Sequence, residues 1–444
     1  MRPQPHESLP TAYWRLWAAS GISNIGDGVF IVALPLLAAR LTRDELSISL
    51  VATAALLPWL VLSLPIGALI DRSDRRRVMV YSDSLRAAVV AVLALAVVTD
   101  VVTIWMLWLV AVTLGTAEVF FDNASQAILP AIVRPQLLER ANGRRYAVEL
   151  AANTFIGTPI GSILFAIGLA VPFGVDAATF AVAAALVFTI RGNFNPNTQP
   201  RHESASLYAE VRTGMRWLWR NPLLRTIAIT LGLSNLAFQM PQAVFVLFAQ
   251  DELGVSEAGF GVLLALMGVG AVVGGVLGER IVAWLGRSAS IYTALVTWTI
   301  TLLAVGVYPH AWFVALAVSI ESLAATVWNV AMVSLRQQII PAALFGRVNS
   351  VYRWVGWGTM PIGAVLGGLI AHRFGLRSNY FVAAGVMVIA IVVAMRQVNT
   401  ASIVHALSGN TSANSNDDTP TARHMHDDYD GYDELRTPAP PSIT

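Results

Sequence analysis

The chain contains no cysteine, and it contains no lysine either: every one of its 29 basic residues is arginine. Without thiols it forms no disulfide, carries no thiolate nucleophile and builds no Cys-based metal site. The choice of arginine matters for ion pairs, because guanidinium stays charged and forks onto carboxylates. Charge of either sign is scarce, at 13% of 444 residues, against 56% hydrophobic residues. A soluble chain of this length needs more charge to cover its surface, so the composition indicates a membrane protein. The net charge of +2 is too small to suggest a nucleic-acid partner. No phosphate-cradling loop is present, since the glycine-rich runs sit inside apolar stretches and no lysine follows them. Energy must therefore come from an ion gradient or from the substrate's own gradient. No nucleophile–base constellation is evident, so an enzyme is not expected.

Long apolar runs are plentiful. A helix needs about 20 apolar residues to cross the hydrocarbon core. Such runs occupy 14–40, 46–70, 78–99, 102–122, 144–169, 171–190, 225–250, 257–284, 288–308, 311–335, 349–372 and 378–396. The expected architecture is all-α, with six spans in a half covering 14–190 and six in a half covering 225–396. A polar segment, 1–13, precedes the first run, and no small-residue cleavage site follows that run. It reads as a retained first span. The inter-half segment 191–224 is rich in arginine, and Leu207, Val211, Met215 and Leu218 in it follow roughly helical spacing. Part of it should be an amphipathic surface helix. Residues 397–444 form a polar tail expected to be disordered, and its His424 and His426 are expected to be solvated and not to hold metal.

Arginine placement sets orientation. Arg72, Arg75, Arg76, Arg77, Arg134, Arg140, Arg144, Arg145, the inter-half arginines, Arg280, Arg287 and Arg347 fall on one side of the span series. The other side has little beyond Arg40, Arg43, Arg373 and Arg377. The first side should be cytoplasmic, with both termini inside, in the inner (cytoplasmic) membrane.

The two halves echo one another. Gly67 to Arg72 and Gly275 to Arg280 both read Gly-x-x-x-acid-Arg, the first ending the second span and the second ending the eighth. Gln126 to Pro130 matches Gln337 to Pro341, Asn142 matches Asn349, and Pro159-Ile-Gly161 matches Pro361-Ile-Gly363. Matches in one order indicate a duplicated six-helix unit, whose halves meet near the bilayer midplane and rock about a substrate site.

The stretch Gly67 to Arg77 resembles the loop signature of the major facilitator superfamily, Gly-x-Leu-x-Asp-Arg-x-Gly-Arg-Arg, with Asp74 where the signature has glycine. Asn24-Ile-Gly-Asp27, Phe173 to Phe180, Gly214 to Arg225 and Pro361 to Gly368 are similar to the macrolide-efflux and enterobactin-exporter branch. Residues 157–162, Gly-Thr-Pro-Ile-Gly-Ser, keep only part of the Gly-Pro-x-x-Gly-Gly pattern of exporters. The resemblance implies that the first, fourth, seventh and tenth helices line a central cavity. It also implies that Asp71 faces the positive end of the eleventh helix and stabilises the state closed to the cytoplasm.

Charged groups inside spans are costly and point to function. Ser20, Ser23, Asn24 and Asp27 share one helical face near mid-depth of the first span. Asn235, Gln239 and Gln242 do so in the seventh, and Glu321 and Trp328 lie in the tenth. Asn24, Asp27, Asn235, Gln239, Glu321 and Trp328 are the expected substrate- and proton-binding set, although Asn235 and Gln239 can equally serve as interhelical hydrogen-bonding groups. Asp27 or Glu321 is the group expected to take up and release a proton in each cycle. A second set near the cytoplasm is expected to be a charge latch between the states: Gly67, Asp71, Arg72, Arg75, Arg76, Asp83, Arg86, Glu118, Asp122, Arg145 and Glu149. Its alternative is static ion pairing that allows these groups to be buried. The expected function is proton-coupled export of amphipathic small molecules of the drug or macrolide type, by a monomer that needs no cofactor beyond the proton gradient. Siderophore or lipid export is the alternative within transport, and a non-transporting sensor or scaffold is the alternative outside it.

Overall fold

The computed structural model describes residues 8–70, 73–192, 194, 207–404 and 406. Asp71 and Arg72, the start of the N-terminal segment, and the tail with His424 and His426 lie outside the described residues.

Among the described residues, twelve helices are long and apolar enough to cross a membrane. In order they are Thr11–Leu41, Glu45–Ile70, Arg75–Val98, Ile104–Ile132, Pro135–Ile167, Val171–Phe188, Pro222–Gln242, Glu257–Leu285, Arg287–Val307, Ala311–Ile339, Leu344–Phe374 and Ser378–Met395. Each overlaps the apolar run that predicts it, and the ends differ for a physical reason. Apolar composition marks only the part of a helix that lies in lipid. The helix goes on until a cap or a steric break stops it. The fourth span therefore runs through Pro130 to Ile132, ten residues past its apolar run, and the tenth runs to Ile339. Asp74, the departure from the loop signature, is the N-cap of the third span: its carboxylate accepts from the Arg77 backbone N–H at 3.2 Å.

The even number of spans puts Thr11, where the first begins, and Met395, where the last ends, on one face of the bundle, called here the terminal face; the opposite one is the far face. The first six spans form one half and the last six the other. They meet along two seams, the second span on the eleventh and the fifth on the eighth. Both seams depend on glycine. A Cβ on Gly261 would run into the Thr158 carbonyl, and one on Gly368 into the Ser49 hydroxyl. Small residues let the backbones approach this closely. Trp354 of the eleventh span also donates its indole N–H to the Leu60 carbonyl of the second at 2.9 Å.

Between the halves, a linker helix Leu207–Arg220 packs on the start of the eleventh span. Its position agrees with the helical spacing expected in 191–224. Past the twelfth span the chain differs from the expectation that disorder begins at 397. A helical turn covers 400–404, with Val398 and Ile403 buried. The Tyr292 hydroxyl donates to the Val398 carbonyl at 2.7 Å. Two apolar side chains in an otherwise polar segment are enough to hold this short stretch on the bundle.

Candidate functional site

Between the halves lies a cavity of about 390 Å³. Its wall is divided by chemistry. Ile31, Leu34, Val51, Phe245, Phe260 and Leu264 make an apolar side toward the far face, while Asn24, Asp27, Arg86, Glu118, Asn153, Gln239 and Gln242 make a polar side near mid-depth. Asp27 is near the middle of Thr11–Leu41, and Glu118 near the middle of Ile104–Ile132. Neither carboxylate has a hydrogen-bond or ion-pair partner among the described residues.

The cation of this site is Arg86, which is 3% exposed. Its guanidinium lies 3.8 Å from Asp83, which is fully buried, and stands 5.3 Å from the Phe121 ring and 5.2 Å from the Phe180 ring. Ring faces attract a desolvated cation. Asp27, Glu118 and Asp122 also lie within electrostatic reach of Arg86. Asp27 in turn feels Asp122, and Asp176 of the sixth span feels Asp27. One guanidinium thus stands among several acids, with two carboxylates free toward the cavity.

This arrangement differs from the expected grouping. Asp83, Arg86, Glu118 and Asp122 were expected near the cytoplasmic end with Arg145 and Glu149. They lie at the depth of Asp27, and Arg86 and Glu118 are on the cavity wall. The cause is the length of the fourth helix: ten added residues at its end move Glu118 from near the end to the middle. Arg145 and Glu149 form a separate pair nearer the terminal face at 3.2 Å, and Arg145 also donates to the Ser125 hydroxyl at 2.5 Å. Arg76 donates to the Ile190 carbonyl at 2.9 Å and so holds the end of the sixth span within its own half. Arg75 is in the first turn of the third span and Gly67 in the last turn of the second.

Of the expected binding set, Asn24, Asp27 and Gln239 line the cavity. Three residues do not. Asn235 donates to the Gly356 carbonyl at 2.8 Å, in the contact of the seventh span with the eleventh. Trp328 is buried in the apolar core. Glu321 is 6% exposed and accepts hydrogen bonds from the Trp298 indole N–H and, at 3.4 Å, from the Thr301 hydroxyl of the ninth span. The helical face that carries Glu321 turns toward its own half. Asn153 was not foreseen. It sits in a π-helical turn, Ala151–Gly157, within the fifth span. Such turns recur at functional sites, but they break the 3.6-residue period by which a sequence is read. The polar pair Asn153-Thr154 in an apolar run was the available signal.

At the far face the halves are tied by charge. Arg40 of the first span pairs with Glu257 of the eighth, Arg43 lies 3.6 Å from Asp251, and His372 lies 3.4 Å from Asp44 and 3.3 Å from Glu45. Among the described residues no ion pair joins the halves at the terminal face. Arg353 of the eleventh span is the C-terminal-half charge that acts on Asp122.

Twelve spans in two like halves around a charged central cavity define a transporter of the major facilitator kind. The fold has close counterparts among solved structures. A nucleoside transporter, NupG, aligns with TM-score 0.67 at 13% identity, covering 86% of this chain and 98% of that one. A bacterial homologue of the iron transporter ferroportin, in an inward-facing state, aligns with TM-score 0.69 at 17% identity, covering 88% and 99%. A family model described as "transmembrane secretion effector" matches residues 9–417, and the chain belongs to this family of the major facilitator superfamily. Its relatives include the multidrug efflux pump Tap of Mycolicibacterium fortuitum, 30% identical over 380 residues (81% of this chain, 88% of that one). Macrolide efflux protein A of Streptococcus pyogenes is 23% identical over 393 residues, covering 87% of this chain and 96% of that protein. These relatives are transporters, as the expectation of a non-enzyme requires.

Proposed function

We propose that this protein exports amphipathic small molecules by alternating access, in exchange for protons. The observation that carries the reading is the divided cavity wall. Asp27 and Glu118 face the cavity without partners, opposite an apolar side built by Ile31, Leu34, Phe245 and Phe260. An amphipathic cargo fits both sides at once, and an unpartnered buried carboxylate is the group that trades a proton for a cargo. The similarity to pumps named for multidrug and macrolide efflux supports the direction of transport. In this reading the terminal face is cytoplasmic, because arginine is concentrated there, and the chain sits in the inner membrane. The far-face ion pairs then close the outward mouth in the present state.

The test is transport in sealed vesicles with an imposed pH gradient, over a panel of amphipathic drugs, siderophores and lipids. Asp27→Asn keeps the shape and hydrogen bonds but cannot titrate. It should abolish gradient-driven movement while leaving expression near the wild-type level. Unchanged pH-dependent transport removes Asp27 from the coupling role. Reporter fusions after residue 43 and after residue 200 should report opposite sides, and the same side for both overturns the span count or its orientation.

A further inference from the structure

The linker helix Leu207–Arg220 carries a feature that transport through the cavity does not use. Its depth is set by two anchors. A Cβ on Gly214 would meet the Arg347 carbonyl, so the helix lies backbone-close against the first turns of the eleventh span. Leu218, fully buried, fills the same contact. At its end Asn221 caps the seventh span, its side chain accepting from the Leu224 backbone N–H at 3.0 Å. The helix is thereby held alongside the point where two spans enter the membrane, which is the headgroup layer of the bilayer.

The opposite face of the helix is free. Arg212, Arg216 and Arg220 are exposed and form one stripe at i, i+4 and i+8, and Trp219, 46% exposed, lies in the same stripe. None of these arginines has an ion-pair or hydrogen-bond partner among the described residues. Like charges at i, i+4 repel, so the stripe is unfavourable unless something anionic lies against it. A basic helical stripe with an indole at headgroup depth matches the chemistry of an anionic membrane surface: guanidinium groups fork onto phosphate, and the indole sits between water and acyl chain. We propose that Arg212, Arg216, Trp219 and Arg220 form a binding site for the phosphate headgroups of anionic phospholipids in the leaflet on the terminal side. Because the helix packs on the eleventh span and runs into the seventh, bound lipid anchors the C-terminal half at that surface.

The experiment uses the full-length protein purified in mild detergent, with native mass spectrometry counting added phosphatidylglycerol and phosphatidylcholine. The wild type should retain phosphatidylglycerol in preference to phosphatidylcholine. Each basic residue near an anionic surface contributes ~1 kcal/mol, about fivefold in affinity. The triple variant R212Q/R216Q/R220Q should therefore lose on the order of a hundredfold. The corresponding triple lysine variant should keep most of the binding, and R140Q, elsewhere on the terminal face, should change nothing. Should the triple variant fail to fold, R216Q alone decides, with a loss of about fivefold expected. Equal phosphatidylglycerol retention by the triple glutamine variant and the wild type overturns the site. Equal binding of phosphatidylcholine overturns the role of charge, and displacement of the lipid by millimolar inorganic phosphate overturns the lipid as the ligand.

Discussion

Arg40 grips Glu257 with both prongs of its guanidinium: Nε donates to Oε1 at 2.5 Å and Nη2 to Oε2 at 2.8 Å. The two residues belong to different halves, so the pair closes the far mouth of the cavity directly. Both are partly exposed, at 56% and 23% of their side chains, so solvent screens the attraction. Exposed pairs contribute about 0.2–1 kcal/mol, with two-pronged geometry at the upper end. Glu257→Arg should therefore raise far-face access to the cavity by about fivefold or more. The double reversal Arg40→Glu with Glu257→Arg should restore closure. The natural absence of cysteine allows the check: a single cysteine at Leu34 on the cavity wall is labelled from the far face with an impermeant reagent. Equal rates in all variants would remove the pair from the gate.

Asp44, in the loop between the first two spans, adds a dependence on pH. Hydrogen bonds from Ser47, first from its hydroxyl and then from its backbone N–H at 2.7 Å, aided by the nearby His372, hold the carboxyl below the usual carboxylate range against the opposing effect of burial. The sign follows from linkage. A depressed pKa stabilises the Ser47 cap, and through His372 the closed arrangement, above the ordinary value near ~4, and the contribution fades as pH falls through the lowered value. Protonating Asp44 removes the charge that faces His372 across the halves, so far-face labelling should rise below ~4. Asp44→Asn should remove that rise.

Removing Arg86 should harm the fold as well as transport. Asp83 is fully buried beside it, and an orphaned buried charge costs about 3–5 kcal/mol. Arg86→Gln should lower the midpoint of thermal unfolding in detergent, and adding Asp83→Asn should recover most of the loss. If the double variant is no more stable than the single one, Asp83 and Arg86 are not an energetic pair.

Glu321 and Asp27 should separate in kinetics. Glu321 accepts from Trp298 and Thr301 inside the C-terminal half, away from the cavity wall. Glu321→Gln replaces one acceptor oxygen with an NH2 group, so one donor loses its partner at about 1–3 kcal/mol. Stability should fall by that order, while the cargo KM stays at the wild-type value. A KM raised tenfold would return Glu321 to the binding set.

What the amino-acid order determined by itself is the number of crossings, their pairing into halves, and the chemistry available at mid-depth. Twelve apolar runs suffice for the first, because hydrocarbon excludes any backbone segment that leaves its polar groups unpaired. Repeated motifs suffice for the second. The Asn24–Asp27 face was legible because residues three and four apart on a helix share a side. The tertiary structure alone decided which acids meet. Asp27, Arg86 and Glu118 come from the first, third and fourth spans, and their common depth depends on where each helix stops in water, where apolar composition gives no signal. The rotation of the tenth span, which turns Glu321 inward to Trp298, is set by packing within the half. The π-turn that offers Asn153 to the cavity adds a residue to one turn, a change that the 3.6-residue period cannot register. The sequence therefore carries the groups and their approximate depth. Packing between helices decides which of them face the same space.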